Sequence, residues 1–279
     1  MKKILLITLS LLISATGMAQ DTLYNDSVLE KVDSVQQEAV KRNFTNEKIS
    51  DFTKSDGDTA YIKKDYASAI QIYENLLKKG ESADIYYNLG NSYYKLNNIA
   101  KAILNYRRAL LLEPGNSDIR ANLDIAHSKT VDKVDSIPDV FFVSWIKSLI
   151  NCFSVGVWAK IGILFFLLFI VALYFYVFSK RTFLKKIGFF AALFFIIITV
   201  FANVFASNEK ERLLSHDSAI VMDPSITVRS TPSESGTDLF ILHEGHEVKI
   251  KDNSMKAWKE IRLEDGKVGW VPTSSIEVI

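Results

Sequence analysis

Two stretches without a charged residue dominate the middle of this sequence. Residues 161–178 form a run of about 18 apolar or uncharged positions, roughly 27 Å as an α-helix. Residues 187–206 form a second run of about 20. Each is long enough to cross a bilayer, so the chain is expected to fold around a two-helix membrane hairpin. The loop between them, residues 179–186, carries Lys180, Arg181, Lys185 and Lys186 and no acid. That bias marks a cytoplasmic loop. Neither run contains Asp, Glu, Lys, Arg or His, the groups that transport and proton relay usually require, so the hairpin reads as an anchor. Thr199 and Asn203 are expected to bond to the helix backbone or to the partner helix.

The N-terminus supports the same orientation. Met1-Lys2-Lys3 precedes a short apolar run, and Gly17 and Ala19 follow it. This is the pattern of a secretory signal over residues 1–19, cleaved after Ala19; an uncleaved signal anchor is the alternative. Export would place both soluble regions on the periplasmic side of a bacterial cytoplasmic (inner) membrane. Residues 20–49 are polar and read as a flexible lead-in. Lys and Arg total 33 against 32 Asp and Glu, which leaves no basic excess for nucleic acid. The single cysteine, Cys152, rules out an intramolecular disulfide; it is expected to be a small buried residue, with pairing between subunits as the alternative.

Residues 129–158 read as a connector and a membrane-surface helix. Phe142, Trp145, Ile146, Leu149, Ile150 and Phe153 share one helical face, with Trp158 as an interfacial anchor. The alternative is a helix packed on the preceding domain.

That domain, residues 50–128, contains an internal repeat. Ala69, Ile70 and Tyr73 recur as Ala102, Ile103 and Tyr106, close to a 34-residue period. In the second copy Tyr86, Leu89, Gly90, Tyr93, Ala102, Tyr106, Ala109 and Pro114 fall at the spacing of tetratricopeptide repeats (TPR), which this copy resembles. Gly90 and Ala102 suit a close approach of two helices, and Pro114 ends the second. In the first copy Leu76 and Glu81 replace the expected small residue and proline. Residues 117–128 are expected to cap the stack. The resemblance implies a concave groove lined by first-helix residues Tyr87, Asn91 and Tyr94; the competing expectation is that the tyrosines pack on the neighbouring helix. Tyr87 stands where carboxylate-binding repeats tend to carry Lys, which argues against a C-terminal carboxylate ligand.

From about residue 218 the pattern changes to short alternating segments separated by turn residues. Ile226-Thr227-Val228-Arg229, Gly245, Trp258 and Asp265-Gly266-Lys267-Val268-Gly269-Trp270-Val271 resemble bacterial SH3-like domains, which places a small all-β barrel over residues 210–279. Asp265-Gly266 suits a hairpin turn. The resemblance implies binding of peptides or cell-wall peptides. Arg229 and Trp258 are the surface candidates, with a structural role open for both, and Trp270 is expected in the core. His243 and His246 lack a third ligand, so no metal is expected.

The expected fold class is therefore a multidomain membrane protein: an all-α TPR solenoid, a two-helix transmembrane hairpin and an all-β SH3-like barrel. No phosphate-binding glycine loop, zinc-protease helix or nucleophile elbow occurs, so neither enzymatic activity nor a cofactor is expected. The order of parts resembles the BatE-type proteins of bacterial aerotolerance operons. That resemblance implies a scaffold for membrane proteins, including von Willebrand factor A-domain proteins and, indirectly, a MoxR-type ATPase, in envelope stress tolerance. The rival is a peptidoglycan-binding sensor led by the SH3-like domain. On the scaffold reading, deleting residues 210–279 is expected to leave protein partners bound.

Overall fold

The computed structural model describes residues 52–132 and 141–279, apart from the side chains of Phe142 and Lys147. The expected signal peptide, the lead-in and part of the connector lie outside the described residues.

Five helices build the repeat region: α1 (Lys54–Ile62), α2 (Tyr66–Leu77), α3 (Ala83–Lys95), α4 (Ile99–Leu112) and α5 (Ser117–His127). The same turn joins α1 to α2 and α3 to α4. Lys64 and, one repeat further on, Asn97 adopt left-handed backbone angles, with φ 63° and 59°. The next residue then caps the following helix: Asp65 accepts from the Ser68 N–H and Asn98 from the Lys101 N–H, both at 3.1 Å. Such caps satisfy donors that a helix start leaves orphaned. The close approach also repeats. A side chain at Gly57 would strike the Tyr73 ring, and one at Gly90 would lie 2.7 Å from the Tyr106 ring. The first copy thus forms the same helical pair as the second, despite Leu76 and Glu81. Ala69, Leu89, Ala102, Ile103, Tyr106, Ile119 and Leu123 are buried in one continuous core that α5 closes.

Next come α6 (Phe141–Ile150), α7 (Val155–Phe178) and α8 (Thr182–Ser215). Two of these, α7 and α8, are long and apolar enough to cross a membrane. They pack along their length where glycine permits: a side chain at Gly188 would sit 2.7 Å from the Tyr176 backbone nitrogen. Thr199 and Asn203 donate to the Phe195 and Thr199 carbonyls of their own helix. Two expected boundaries shift. The connecting loop is only residues 179–181, because Lys185 and Lys186 already lie in α8. At its other end α8 runs nine residues past the apolar stretch, so 210–215 are helical rather than part of the β-domain. The helix stops at His216, whose φ of 42° leaves helical geometry.

The exposed face of α6 presents Trp145, Ile146 and Leu149 away from the repeats. Packing of that face on the repeat domain, the alternative expectation, is not found among the described residues. Two other expectations fail here. Trp158 is only 7 % exposed: its indole N–H donates to the Ile150 carbonyl, and its ring packs edge-on against Phe153 and Phe205. It therefore holds the end of α6 against α8 instead of standing at an interface. Cys152 is exposed, not buried. Its carbonyl abuts Gly115, where any side chain would collide with it.

Seven strands follow: β1 (Ser218–Val221), β2 (Ser225–Arg229), β3 (Asp238–His243), β4 (Glu247–Asp252), β5 (Trp258–Arg262), β6 (Val268–Pro272) and β7 (Ile276–Val278). They form one antiparallel sheet in the order β3-β2-β6-β5-β4-β1-β7. The described pairings join neighbours along this order and do not link β3 to β7, so the observed element is a sheet, without shown barrel closure. Gly266, at φ 89°, makes the expected turn between β5 and β6, with Asp265 accepting from the Lys267 N–H. Val228, Val248, Ile261 and Val271 are completely or almost completely buried inside the sheet.

The described residues form one compact unit. Strand β1 explains why. Its alternation sends Ala219 and Val221 into the β-core, while Ile220, fully buried between them, enters the core of the repeat region. Around Ile220, Arg107 on α4 pairs with Glu247 on β4. Arg108 binds the Glu277 carboxylate at 3.2 Å and the Val278 carbonyl at 2.6 Å.

Candidate binding surfaces

Tyr87, Asn91 and Tyr94 do share one face of α3, and all three are half-buried. Their polar groups are already engaged. The Asn91 carbonyl oxygen accepts from the Tyr106 hydroxyl at 2.8 Å and from the Asn122 amide at 2.9 Å. Asn122, on the capping helix α5, also donates to the Tyr87 hydroxyl at 2.9 Å. Lys129 lies 4.2 Å above the Tyr94 ring, within cation–π range.

One repeat earlier the same arrangement recurs. Asp58 accepts from the Tyr73 hydroxyl at 2.7 Å and from the Asn88 amide at 3.0 Å. The pairs Asp58/Asn91, Tyr73/Tyr106 and Asn88/Asn122 are successive rungs of a polar ladder that ties each helical pair to the next. Burial raises the Asp58 carboxyl, but the bonds from Tyr73, Lys54 and Asn88 together hold it below the usual range. Burial and the Asp58 carboxylate push the Tyr73 hydroxyl well up. Asn91 is thus a structural acceptor, which the sequence reading missed. The signal was available: acceptor, tyrosine and amide each recur at the repeat offset. The surface left for a ligand is aromatic, namely the half-exposed rings of Tyr61, Tyr87 and Tyr94 on α1 and α3.

On the β-domain, Arg229 clasps its own loop. Its guanidinium donates to the Glu234 and Gly236 carbonyls and pairs with Asp238 at 3.3 Å. This is a structural role. Trp258 is half-buried and exposed to one side of the sheet. Trp270, expected in the core, lies outside the buried cluster: β6 turns Gly269 and Val271 inward, so the intervening Trp270 faces outward. Glu260 stands opposite Trp270, and Pro272 opposite Trp258, so both indoles occupy the same outer face.

The sequence left His243 and His246 without a third partner, and the connector supplies one. Asp132 accepts from the His243 backbone N–H at 2.7 Å and meets the His243 ring at 2.8 Å. His246 lies 3.8 Å away with Nδ1 buried and without a hydrogen bond among the described residues. Among those residues no cluster of three or more ligating side chains is arranged for a metal.

Burial, with Arg107 nearby, lowers His127 to about 4. Burial also lowers His246, against the opposing pull of Asp132, Glu264, Asp265 and Glu247. Burial raises Asp132, but the bonds from His243 outweigh it and leave the carboxyl low. All three groups have depressed folded values. Each therefore contributes stability at neutral pH that is lost on acidification: His127 and His246 below their ordinary value of about 6.5, and Asp132 only below about 4. The melting temperature of the full chain is expected to fall between pH 7.5 and 5, and His127→Gln to flatten that fall. A midpoint that rises toward pH 5 would contradict this account.

Two family models match the chain. Tetratricopeptide repeat covers residues 83–116, and Bacterial SH3 domain covers residues 224–277. No curated protein matches it. The matched segments are α3, α4 and the turn after α4 in the first case, and β2 through most of β7 in the second. A segment similar to tetratricopeptide repeats and one similar to bacterial SH3 domains therefore sit in one chain with two helices apolar enough to span a membrane.

Proposed function

We propose that this chain is a scaffold anchored in the bacterial cytoplasmic membrane, with its repeat region and β-domain on the periplasmic side, where the repeats hold partner proteins. The observation that carries this reading is the row of half-exposed tyrosine rings, Tyr61, Tyr87 and Tyr94, on successive first helices of a repeat built for protein contact. Half-buried aromatic rings offer rigid contact area at low entropic cost, the usual material of binding hot spots. The order of repeat, hairpin and β-domain supports membership of a BatE-type envelope complex. On that reading the partners are membrane proteins carrying von Willebrand factor A domains and, through them, a MoxR-type ATPase.

Replacing Tyr61 and Tyr94 with Ala tests the groove, because neither hydroxyl belongs to the ladder. The double mutant is expected to reach normal membrane levels and to lose partners that co-purify with the wild type after crosslinking in native membranes. Retention of every partner would remove the groove from the proposal. Orientation is tested separately. A periplasm-active reporter fused after Ile279 should be active and one fused at Thr182 inactive; the reverse pattern overturns the topology.

A second reading, cell-wall binding, is favoured by one observation: Trp258 and Trp270 share the outer face of the β-domain. Indole faces suit sugar rings and peptides alike. Binding of the full protein to isolated peptidoglycan, abolished by Trp258→Ala, would support it.

A further inference from the structure

Helix α6 is ten residues long and turns an apolar face outward: Trp145, Ile146 and Leu149 are all exposed, Trp145 by 58 %. Isolated helices of fewer than about 12–15 residues are marginal in water, and one this short depends on burying its apolar face. We infer that α6 docks on the lipid surface itself, lying in the headgroup layer beside the soluble regions with this face against the acyl chains. This placement rests on the hairpin spanning a bilayer, as proposed for α7 and α8.

The two sides of the helix point to different neighbours. Ser148, Asn151 and Cys152 lie three and four residues apart and line the cavity between α6 and the repeat region. The Cys152 carbonyl would lie 2.3 Å from a side chain at Gly115, so the end of α6 is seated on the turn after α4. Ile146, Leu149 and Phe153, the last in the turn after α6, recur at the same spacings on the other side. The Phe153 ring packs edge-on against Trp158, and Trp158 against Phe205, with ring centres 5.3 and 5.0 Å apart. Phe205 stands one residue before the end of the uncharged stretch 187–206. The apolar face of α6 therefore continues, ring by ring, into the apolar surface of the hairpin.

Depth selects lipid as the occupant. The Ile150 carbonyl accepts the Trp158 indole N–H at 3.0 Å. Trp158 stands three residues before the uncharged stretch that begins at Ile161, about 4.5 Å along the helix. The polar layer of each leaflet is about 5–8 Å deep, so the C-terminal end of α6 is held within it. Amphipathic helices at that level bury their apolar face about 5–10 Å into the headgroup–acyl boundary. A folded partner would have to reach this face from inside the headgroup layer. Docking fixes the turn at Gly115, and with it the near end of the repeat core, at the membrane surface.

The test is tryptophan quenching of the full chain in vesicles of phosphatidylcholine brominated either near the carbonyl end or near the middle of the acyl chain. The Trp145 signal is the difference between the wild type and Trp145→Phe. Adding Leu168→Trp to Trp145→Phe reports on the middle of α7. Trp145 should lose most of its emission to the shallow bromines and less to the deep ones, and Leu168→Trp the reverse. Ile146→Asp with Leu149→Asp should abolish the quenching of Trp145 and leave that of Leu168→Trp unchanged. Both residues are exposed, so neither replacement opens a core. A quenched Leu168→Trp beside an unquenched Trp145 overturns the inference and leaves the hairpin standing. If neither is quenched, the membrane reading fails and the docking of α6 with it. Short-wavelength Trp145 emission without quenching places protein on the face, a second copy if native mass spectrometry shows a doubled mass, and equally overturns the inference.

Discussion

Removing residues 218–279 is expected to unfold the repeat region, not merely to shorten the chain. Ile220 from β1 is fully buried in the repeat core, and its loss opens that core to water. The deletion also strips Glu247 from Arg107, and Glu277 and the Val278 carbonyl from Arg108. Repeat arrays need about three units to be stable, because each buries its apolar face on the next. Here two helical pairs and one capping helix precede the long apolar helices, and the β-domain covers part of the remainder. Ile220→Ala alone is expected to cost about 2–5 kcal/mol, the range for deleting a large buried aliphatic side chain. Thermal melting of the full chain, followed by helical circular dichroism and by limited proteolysis within residues 52–132, reads both effects. A repeat region that melts at the wild-type temperature without the β-domain would refute the coupling. This replaces the expectation, drawn from sequence, that the C-terminal region could be removed with partner binding intact. Loss of partners on that deletion would not by itself identify the β-domain as the binding element.

Asn91→Ala is expected to destabilise the repeats by about 1–3 kcal/mol, because it leaves the Tyr106 hydroxyl without its acceptor and the Asn122 amide with the Tyr87 hydroxyl alone. Asn91→Asp should be far milder. Both bonds are accepted by Oδ1, and the first repeat already uses Asp58 at this place with the same kinds of donor. The melting temperatures of the two variants therefore decide between a structural acceptor and a ligand-gripping amide. If alanine and aspartate leave the midpoint equally unchanged, the ladder carries no stability and Asn91 returns to the groove.

These two cases mark how far the sequence could be read. The repeat period, the glycine contacts at Gly57 and Gly90, and the Asp265-Gly266 turn are local properties. Each follows from the conformational limits or size of one residue against neighbours at a fixed spacing. The apolar runs of α7 and α8 are equally local, because length and absence of charge suffice to recognise them. The Asn91 ladder was also written in the sequence, as a recurrence of acceptor, tyrosine and amide. Recognising it required knowing which side of α3 meets α5.

Other errors had a common source. Trp270 was expected inside because aromatic residues in short strands usually are, but the inward face of β6 is set by its pairing with β2 and β5. Trp158 was expected at an interface, but α8 extends far enough for Phe205 to help enclose it. For Arg229 the sequence left a surface and a structural role open, and the following loop folds back onto its guanidinium.

The sequence by itself determined the elements: a helical repeat, two apolar helices, and strands with their turns. Their periodicities and lengths depend on residues close together in the chain. Only the tertiary structure decided that the repeat and the β-domain share a core through Ile220, and that Asp132 reaches His243. The partners in those contacts are separated by the whole hairpin, more than a hundred residues of chain for Asp132 and His243. No local pattern specifies such a pairing; it arises when α7 and α8 return the chain to the side from which it left and the buried faces of β1 and α4 meet.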